Sequence, residues 1–135
     1  MALITWNEKM SVGVAELDRH HQRLIALINS LHDAMTTGKG RDIIGSILEE
    51  LVKYTVYHFG AEEKLMTLHK YVGYVSHKAE HEKFVLKASD LLAQHKSGNI
   101  AVTIPVMQFL RDWLNGHIMG TDKKYGPFFN SKGVN

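Results

Sequence analysis

The sequence predicts an all-α protein: an up-down-up-down antiparallel four-helix bundle that follows an irregular N-terminal arm. Three observations support this prediction. Apolar residues recur at helical spacing in four long stretches of the 135-residue chain. No stretch alternates polar and apolar residues as a half-buried strand does. Short links separate the four stretches, and helices joined by short links pack as antiparallel neighbours.

The predicted elements follow one another in a simple order within a single domain, 1–135. The arm spans residues 1–17, and its Trp6 is expected to pack against the body of the protein. The first helix starts at Asp18, a favourable N-cap residue, and runs to about Thr37. The bundle, 18–122, is followed by a tail, 123–135, that is predicted to be irregular. The other three helices run from about Asp42 to Leu68, from about Tyr74 to Lys96, and from around Pro105 to about Asp122.

Composition limits the classes of function. The chain has no cysteine, which excludes disulfides, thiolate sites and iron–sulfur clusters, so any metal must be bound by nitrogen and oxygen. A formal charge of +2 and scattered basic residues do not favour nucleic-acid binding. No apolar run approaches the roughly 20 residues of a membrane-spanning helix. The N-terminus lacks the apolar core of a signal peptide, so a cytoplasmic protein is expected.

Nine histidines are the conspicuous excess, and several of them lie on faces that are otherwise apolar. His58 and Glu62 continue the apolar stripe of the second helix, and His77 and His81 interrupt that of the third. Buried polar groups of this kind need partners. In the first helix, periodicity does not decide which of two adjacent histidines faces inward. The candidate ligands are His20 or His21, His58, Glu62, His77, His81, His117 and Asp122.

The antiparallel arrangement brings these residues together, because they lie near the start of the first and third helices and near the end of the second and fourth. Seven side chains are too many for one zinc ion, which takes four ligands. Two carboxylates can each bridge two metals, so the sequence predicts a dinuclear site. Five imidazoles favour a borderline transition metal over magnesium or calcium. A ferritin-like site would instead carry two Glu-x-x-His motifs.

The motifs resemble those of the hemerythrin family, and the match spans almost the whole chain. Trp6 followed by Ser11-Val12-Gly13-Val14 resembles the bacterial branch of that family. The family usually has Gln at the position of His20, and the resemblance selects His21 as the ligand on the first helix. The motifs that carry the resemblance are Asp18-x-x-His21, His58-Phe59-x-x-Glu62-Glu63, His77-x-x-x-His81 and His117-x-x-x-x-Asp122.

The resemblance implies two iron ions, bridged by Glu62, Asp122 and an oxo or hydroxo oxygen. One iron would be bound by three histidines and so have six ligands. The other would have five, with an open position for O₂. The three-histidine set would be His77, His81 and His117, and the two-histidine set His21 and His58.

The family likeness also implies an apolar oxygen pocket that slows autoxidation by excluding water. The implied function is reversible binding of dioxygen for transport, storage or delivery to oxygen-consuming enzymes, without catalysis. Two alternatives within the di-iron interpretation are an oxygen or redox sensor and an enzyme of peroxide, nitric oxide or iron handling. The pocket residues would be Phe59, Trp113, Leu114 and Ile118.

A rival interpretation concerns the stretch 77–81, which matches the H-x-x-E-H zinc-peptidase signature with Glu80 as general base. It leaves the other candidate ligands without a role, and we therefore expect Glu80 to face solvent. The remaining histidines are assigned to the surface or to positions behind the ligands. They are His20, His32, His69 and His95.

Overall fold

The computed structural model describes residues 3–39, 41–98 and 104–135. Within these ranges the chain is helical and has no strand, which confirms the predicted all-α four-helix fold. None of the helices in the described ranges is long and apolar enough to cross a membrane. The α-helices are α1 (Ala15–Thr36), α2 (Arg41–Leu68), α3 (Tyr74–Ser97), α4 (Ile104–Gly116) and α5 (Tyr125–Ser131).

The apolar stripes of the long helices form the main core, in which α1 packs against α2 and α4, and α2 packs against α3. On α1, Leu24, Ile28 and Leu31 are buried at the spacing of one helical face. Phe84 on α3 and Leu110 on α4 are buried in the same cluster. The predicted periodicity therefore identified the inward faces correctly.

A second, smaller apolar cluster closes one end of the bundle. α2 connects the two clusters, because Leu51 lies in the main core and Met66 in the smaller cluster. The buried polar positions of α2, His58 and Glu62, lie between them along the helix. The smaller cluster consists of Val12, Val14, Leu17, Met66, Tyr125 and Phe129.

The arm is more regular than predicted, although residues 1–2 lie outside the described ranges. It contains a 3-10 turn at Glu8–Met10, and α1 begins three residues before the predicted N-cap. Asp18 is not an N-cap: its carboxylate accepts hydrogen bonds from the Ser11 hydroxyl (2.5 Å) and the Val12 amide (2.9 Å). It stabilises the arm rather than the helix. Trp6 is half-buried against the main core, as predicted.

The fourth helix does not run unbroken to Asp122. A π-helical segment, His117–Thr121, and a 3-10 turn, Asp122–Lys124, connect α4 to α5. The prediction of an irregular tail was wrong, because Tyr125 and Phe129, four residues apart, bury one helical face in the smaller cluster.

Candidate metal centre

The seven candidate ligands lie together between the two apolar clusters, and none of them is more than 4% exposed. The start of α1 contributes His21, and the last part of α2 contributes His58 and Glu62. The first two turns of α3 contribute His77 and His81. The π-helical segment contributes His117, and Asp122 follows it directly.

The seven side chains form two groups that share both carboxylates, Glu62 and Asp122. In each group the nearest ligand atoms lie within 4.8 Å of one another. The shared carboxylates place two cation positions side by side, with three imidazoles at one position and two at the other. The three-histidine group adds His77, His81 and His117, and the two-histidine group adds His21 and His58.

The two oxygens of Asp122 face different groups. Its Oδ1 lies 2.8 Å from Nε2 of His77 and 2.9 Å from Nε2 of His117, whereas its Oδ2 lies 3.0 Å from Nε2 of His21. Glu62 is also central, since its Oε1 lies 3.2 Å from Nε2 of His81 and 3.4 Å from Nε2 of His58. Each carboxylate can therefore contribute to both positions.

The donor set fits metal ions better than a network of hydrogen bonds. Within the described residues, Nε2 of His21, Oε1 of Glu62 and both carboxylate oxygens of Asp122 are buried and make no hydrogen bond of good geometry. Nε2 of His117 lies 3.2 Å from Nε2 of His77 and 3.1 Å from Nε2 of His81. Buried polar atoms are normally paired, and converging lone pairs are what a borderline transition metal binds.

In the metal-free site, protonation of histidine offsets part of the negative charge of Glu62 and Asp122. Burial lowers the pKa of His21, but the adjoining Asp122 and Glu62 carboxylates outweigh burial and raise that pKa to about 10. Burial lowers the pKa of His58 to about 4 against the attraction of Glu62. Burial raises the pKa of both carboxyl groups, yet contacts with the imidazoles hold each pKa below its usual value. Without metal, these shifts favour ionised carboxylates next to a protonated His21.

Two further carboxylates form hydrogen bonds with the Nδ1 atoms of ligand imidazoles, on the side away from the ligand cluster. Nδ1 of His81 pairs with Glu63 (2.9 Å), and Nδ1 of His117 pairs with Glu80 (3.0 Å), which also accepts from the Thr121 hydroxyl. A carboxylate at Nδ1 directs the bare Nε2 towards a metal. The prediction that Glu80 faces solvent was only partly right: its side chain is 45% exposed, but Oε1 is turned to His117. No role was predicted for Glu63, and its place next to Glu62 is the only sequence signal.

Each imidazole of the three-histidine group is stacked on a different aromatic ring. Phe59 stacks on His81 with ring centroids 3.7 Å apart and planes 3° apart. Trp113 stacks on His117 at 4.4 Å and 11°. Such stacks restrict ring rotation. Phe59 and Trp113, two of the four predicted pocket residues, thus contact ligand imidazoles, while Leu114 and Ile118 are buried in the main apolar core.

Tyr125 is a site residue that the sequence prediction missed, because it lies in the tail. Its hydroxyl donates a hydrogen bond to Oε2 of Glu62, and its ring stacks on His77 at 5.6 Å and 13°. Burial raises the pKa of the phenol, and the Glu62 charge adds to the effect, so Tyr125 stays a donor.

The other histidines divide into three cases. His20 is buried as well as His21, and its Nδ1 lies 2.9 Å from Nδ1 of His58. His32 and His69 are half-buried. The expectation of a surface or site-adjacent role for His95 was wrong, because it is 5% exposed and lies roughly 21 Å along α3 from His81. It packs against Gly45 of α2, whose missing side chain leaves room for the imidazole.

Known proteins share the sequence pattern and the fold of this chain. A family model described as the hemerythrin HHE cation binding domain matches residues 12–129. A bacteriohemerythrin from Methylococcus capsulatus is 39% identical, and the match covers 94% of this chain and 97% of the relative. A hemerythrin-like protein from Naegleria gruberi is 38% identical, with 89% of this chain and 88% of the relative covered. A solved wild-type hemerythrin superposes with a TM-score of 0.90 at 38% identity, covering 93% of this chain and 97% of that one. The chain therefore belongs to the hemerythrin family.

Proposed function

We propose that this protein binds dioxygen reversibly at a di-iron centre, for oxygen transport, storage or delivery to an oxygen-consuming enzyme. The observation that carries the proposal is the pair of ligand groups that share both carboxylates but differ in their number of imidazoles. The relatives named hemerythrin and bacteriohemerythrin support it. The proposed ligands are His21, His58, Glu62, His77, His81, His117 and Asp122.

The unequal number of imidazoles gives the two metal positions different tasks. Three imidazoles and two carboxylates would hold a metal ion at one position and leave little room for another ligand. At the other, His21 and His58 with the same carboxylates would leave more room, so a small ligand would bind there. A pair of ferrous ions held there would supply the two electrons that reversible oxygen binding requires.

The surrounding residues keep that ligand exchangeable. In this proposal Phe59, Trp113, Leu114 and Ile118 would exclude water, and with it the protons that would make oxidation irreversible. Glu63 and Glu80 fix the imidazoles of the three-histidine group. The role of the protein is thus to bind the metal ions, to orient their ligands and to exclude water from the site.

The test is a visible spectrum of the reduced, iron-loaded protein. We expect a charge-transfer band that appears on exposure to air and disappears when oxygen is removed, over repeated cycles. Glu62→Ala should lower the iron content, since this carboxylate belongs to both groups. His32→Ala on α1 is the matched control and should leave iron content and spectrum unchanged.

Two results would contradict the proposal. One is a single irreversible oxidation in air without a band that reverses on deoxygenation. The other is full iron occupancy in the Glu62→Ala protein, which would exclude the proposed ligand set.

A further inference from the structure

The two ligand groups differ in the hydrogen-bond partners of their imidazole Nδ1 atoms. In the three-histidine group, Nδ1 of His81 and of His117 each face a carboxylate oxygen. In the two-histidine group, Nδ1 of His58 faces another imidazole, that of His20, at 2.9 Å. His20 is 6% exposed, so water does not readily replace it.

The geometry limits where the protons of this pair lie. Two neutral ring nitrogens 2.9 Å apart form a hydrogen bond only if one is protonated and the other is bare. Nε2 of His58 points at Oε1 of Glu62, 3.4 Å away, inside the ligand cluster. If Nε2 is to bind a metal it must be bare, so the proton of His58 lies on Nδ1 and the acceptor is Nδ1 of His20.

The surroundings of His20 hold it in this role. Its ring packs against Tyr54 (centroids 5.9 Å apart) and Tyr57 (5.4 Å), which form a wall on the α2 side. Its Nε2, which then carries the proton, faces the exposed Glu16 carboxylate at 3.9 Å. The carboxylate on that outer side favours the proton at Nε2 and leaves Nδ1 free to accept.

We propose that His20 is a positioning residue for the two-histidine metal position: it fixes the tautomer and orientation of His58 by accepting its Nδ1 hydrogen bond. The inference rests on the proposed di-iron centre. According to this inference, metal occupancy of the two-histidine position depends on a side chain that is not itself a ligand.

The first experiment counts metal in chelator-stripped protein titrated with Co²⁺. The wild type should bind two ions. His20→Leu should keep one ion at wild-type affinity and bind the second about 10- to 100-fold more weakly, the usual cost of losing such a partner. His20→Gln should restore both, because its amide oxygen can accept from Nδ1. His32→Leu is the same substitution on the same helix, roughly 18 Å away, and should bind two ions.

The second experiment measures the tautomer directly, by imidazole ¹⁵N NMR of the metal-free protein. We expect the His58 proton on Nδ1 in the wild type and in His20→Gln, and a shift towards Nε2 in His20→Leu. Circular dichroism checks the fold of each variant. If His20→Leu does not fold, the wild-type spectrum still decides.

Two results would overturn the inference while leaving the proposed function standing: two cobalt ions at wild-type affinity in folded His20→Leu, or a wild-type His58 that carries its proton on Nε2. A wild-type chain that binds fewer than two cobalt ions would instead overturn the proposed di-iron centre itself.

Discussion

Among single residues, Tyr125 makes the contact with the site that is simplest to remove. Its buried hydroxyl donates to the ionised Glu62 carboxylate, while its ring stacks on His77. Tyr125→Phe removes the donor and keeps the ring. Because a hydrogen bond to a charged group contributes about 1.5–3 kcal/mol, we expect the metal-free protein to lose that much free energy of unfolding.

Urea denaturation of chelator-stripped protein measures this loss as a lower midpoint with an unchanged slope. The control is Tyr57→Phe, which removes a hydroxyl from a residue that is 59% exposed and should change the free energy of unfolding by less than about 0.5 kcal/mol. Equal effects of the two substitutions would show that the Glu62 contact does not stabilise the fold.

At the level of elements, the arm and α5 close the end of the bundle over the site. Asn130 donates a hydrogen bond to the Gly13 carbonyl (2.9 Å), and a Cβ on Gly126 would collide with the carbonyl oxygen of Val12. That atom belongs to the backbone and cannot move without moving the arm. We therefore expect Gly126→Ala to destabilise the protein by about 1–3 kcal/mol, the usual cost of overpacking.

The matched control is Gly60→Ala in the interior of α2, where a Cβ meets nothing within 4 Å. The same glycine-to-alanine change should there raise the free energy of unfolding by up to about 1 kcal/mol, because alanine favours helix. Thermal denaturation should therefore show a lower midpoint for Gly126→Ala and a higher midpoint for Gly60→Ala than for the wild type. A Gly126→Ala protein as stable as the wild type would mean that the arm does not pack tightly on α5.

The long helices were predicted more accurately than the segments that follow α4. Periodic burial predicted the long helices well, because each inward face repeats every three or four residues. α5 was missed because its burial depends on contacts with the arm, which are distant in sequence. The π-helical segment left a signal: His117 and Asp122 are five residues apart, and a regular helix would place them about 140° apart. Their convergence on one site requires the i→i+5 hydrogen bond from the Asp122 amide to the His117 carbonyl.

For the whole molecule, the position of the site followed from topology, since antiparallel packing brings alternate helix ends together. The division into two ligand groups needed the resemblance to a family. Glu63 and Glu80 were not predicted as partners of the ligands, because they show no periodic pattern that separates them from surface residues. His20 was a candidate for the inward face of α1, but periodicity could not decide between it and His21. Their roles depend on side-chain directions that only the packed bundle determines.

The charge balance of the site should govern the stability of the whole metal-free protein. His21 has a folded pKa of about 10, above the ordinary 6.5, so its contribution is complete below pH 6.5 and is lost as the pH rises to about 10. His58 has a folded pKa of about 4, so its contribution is present above pH 6.5 and is lost as the pH falls to about 4. The depressed pKa values of Glu62 and Asp122 add to the loss in acid. Stability should therefore be greatest near pH 6.5.

Bound metal should abolish the loss of stability that occurs above pH 6.5. A metal ligated by His21 takes the place of its proton, so the metal-loaded protein has no proton to lose there between pH 6.5 and 10. Urea midpoints measured from pH 4 to 10 should fall on both sides of pH 6.5 without metal. With metal they should fall only towards acid, where protons compete for the ligands. A metal-free profile that is flat above pH 6.5 would contradict the His21 ion pair, and a basic loss that persists after loading would contradict its role as a ligand.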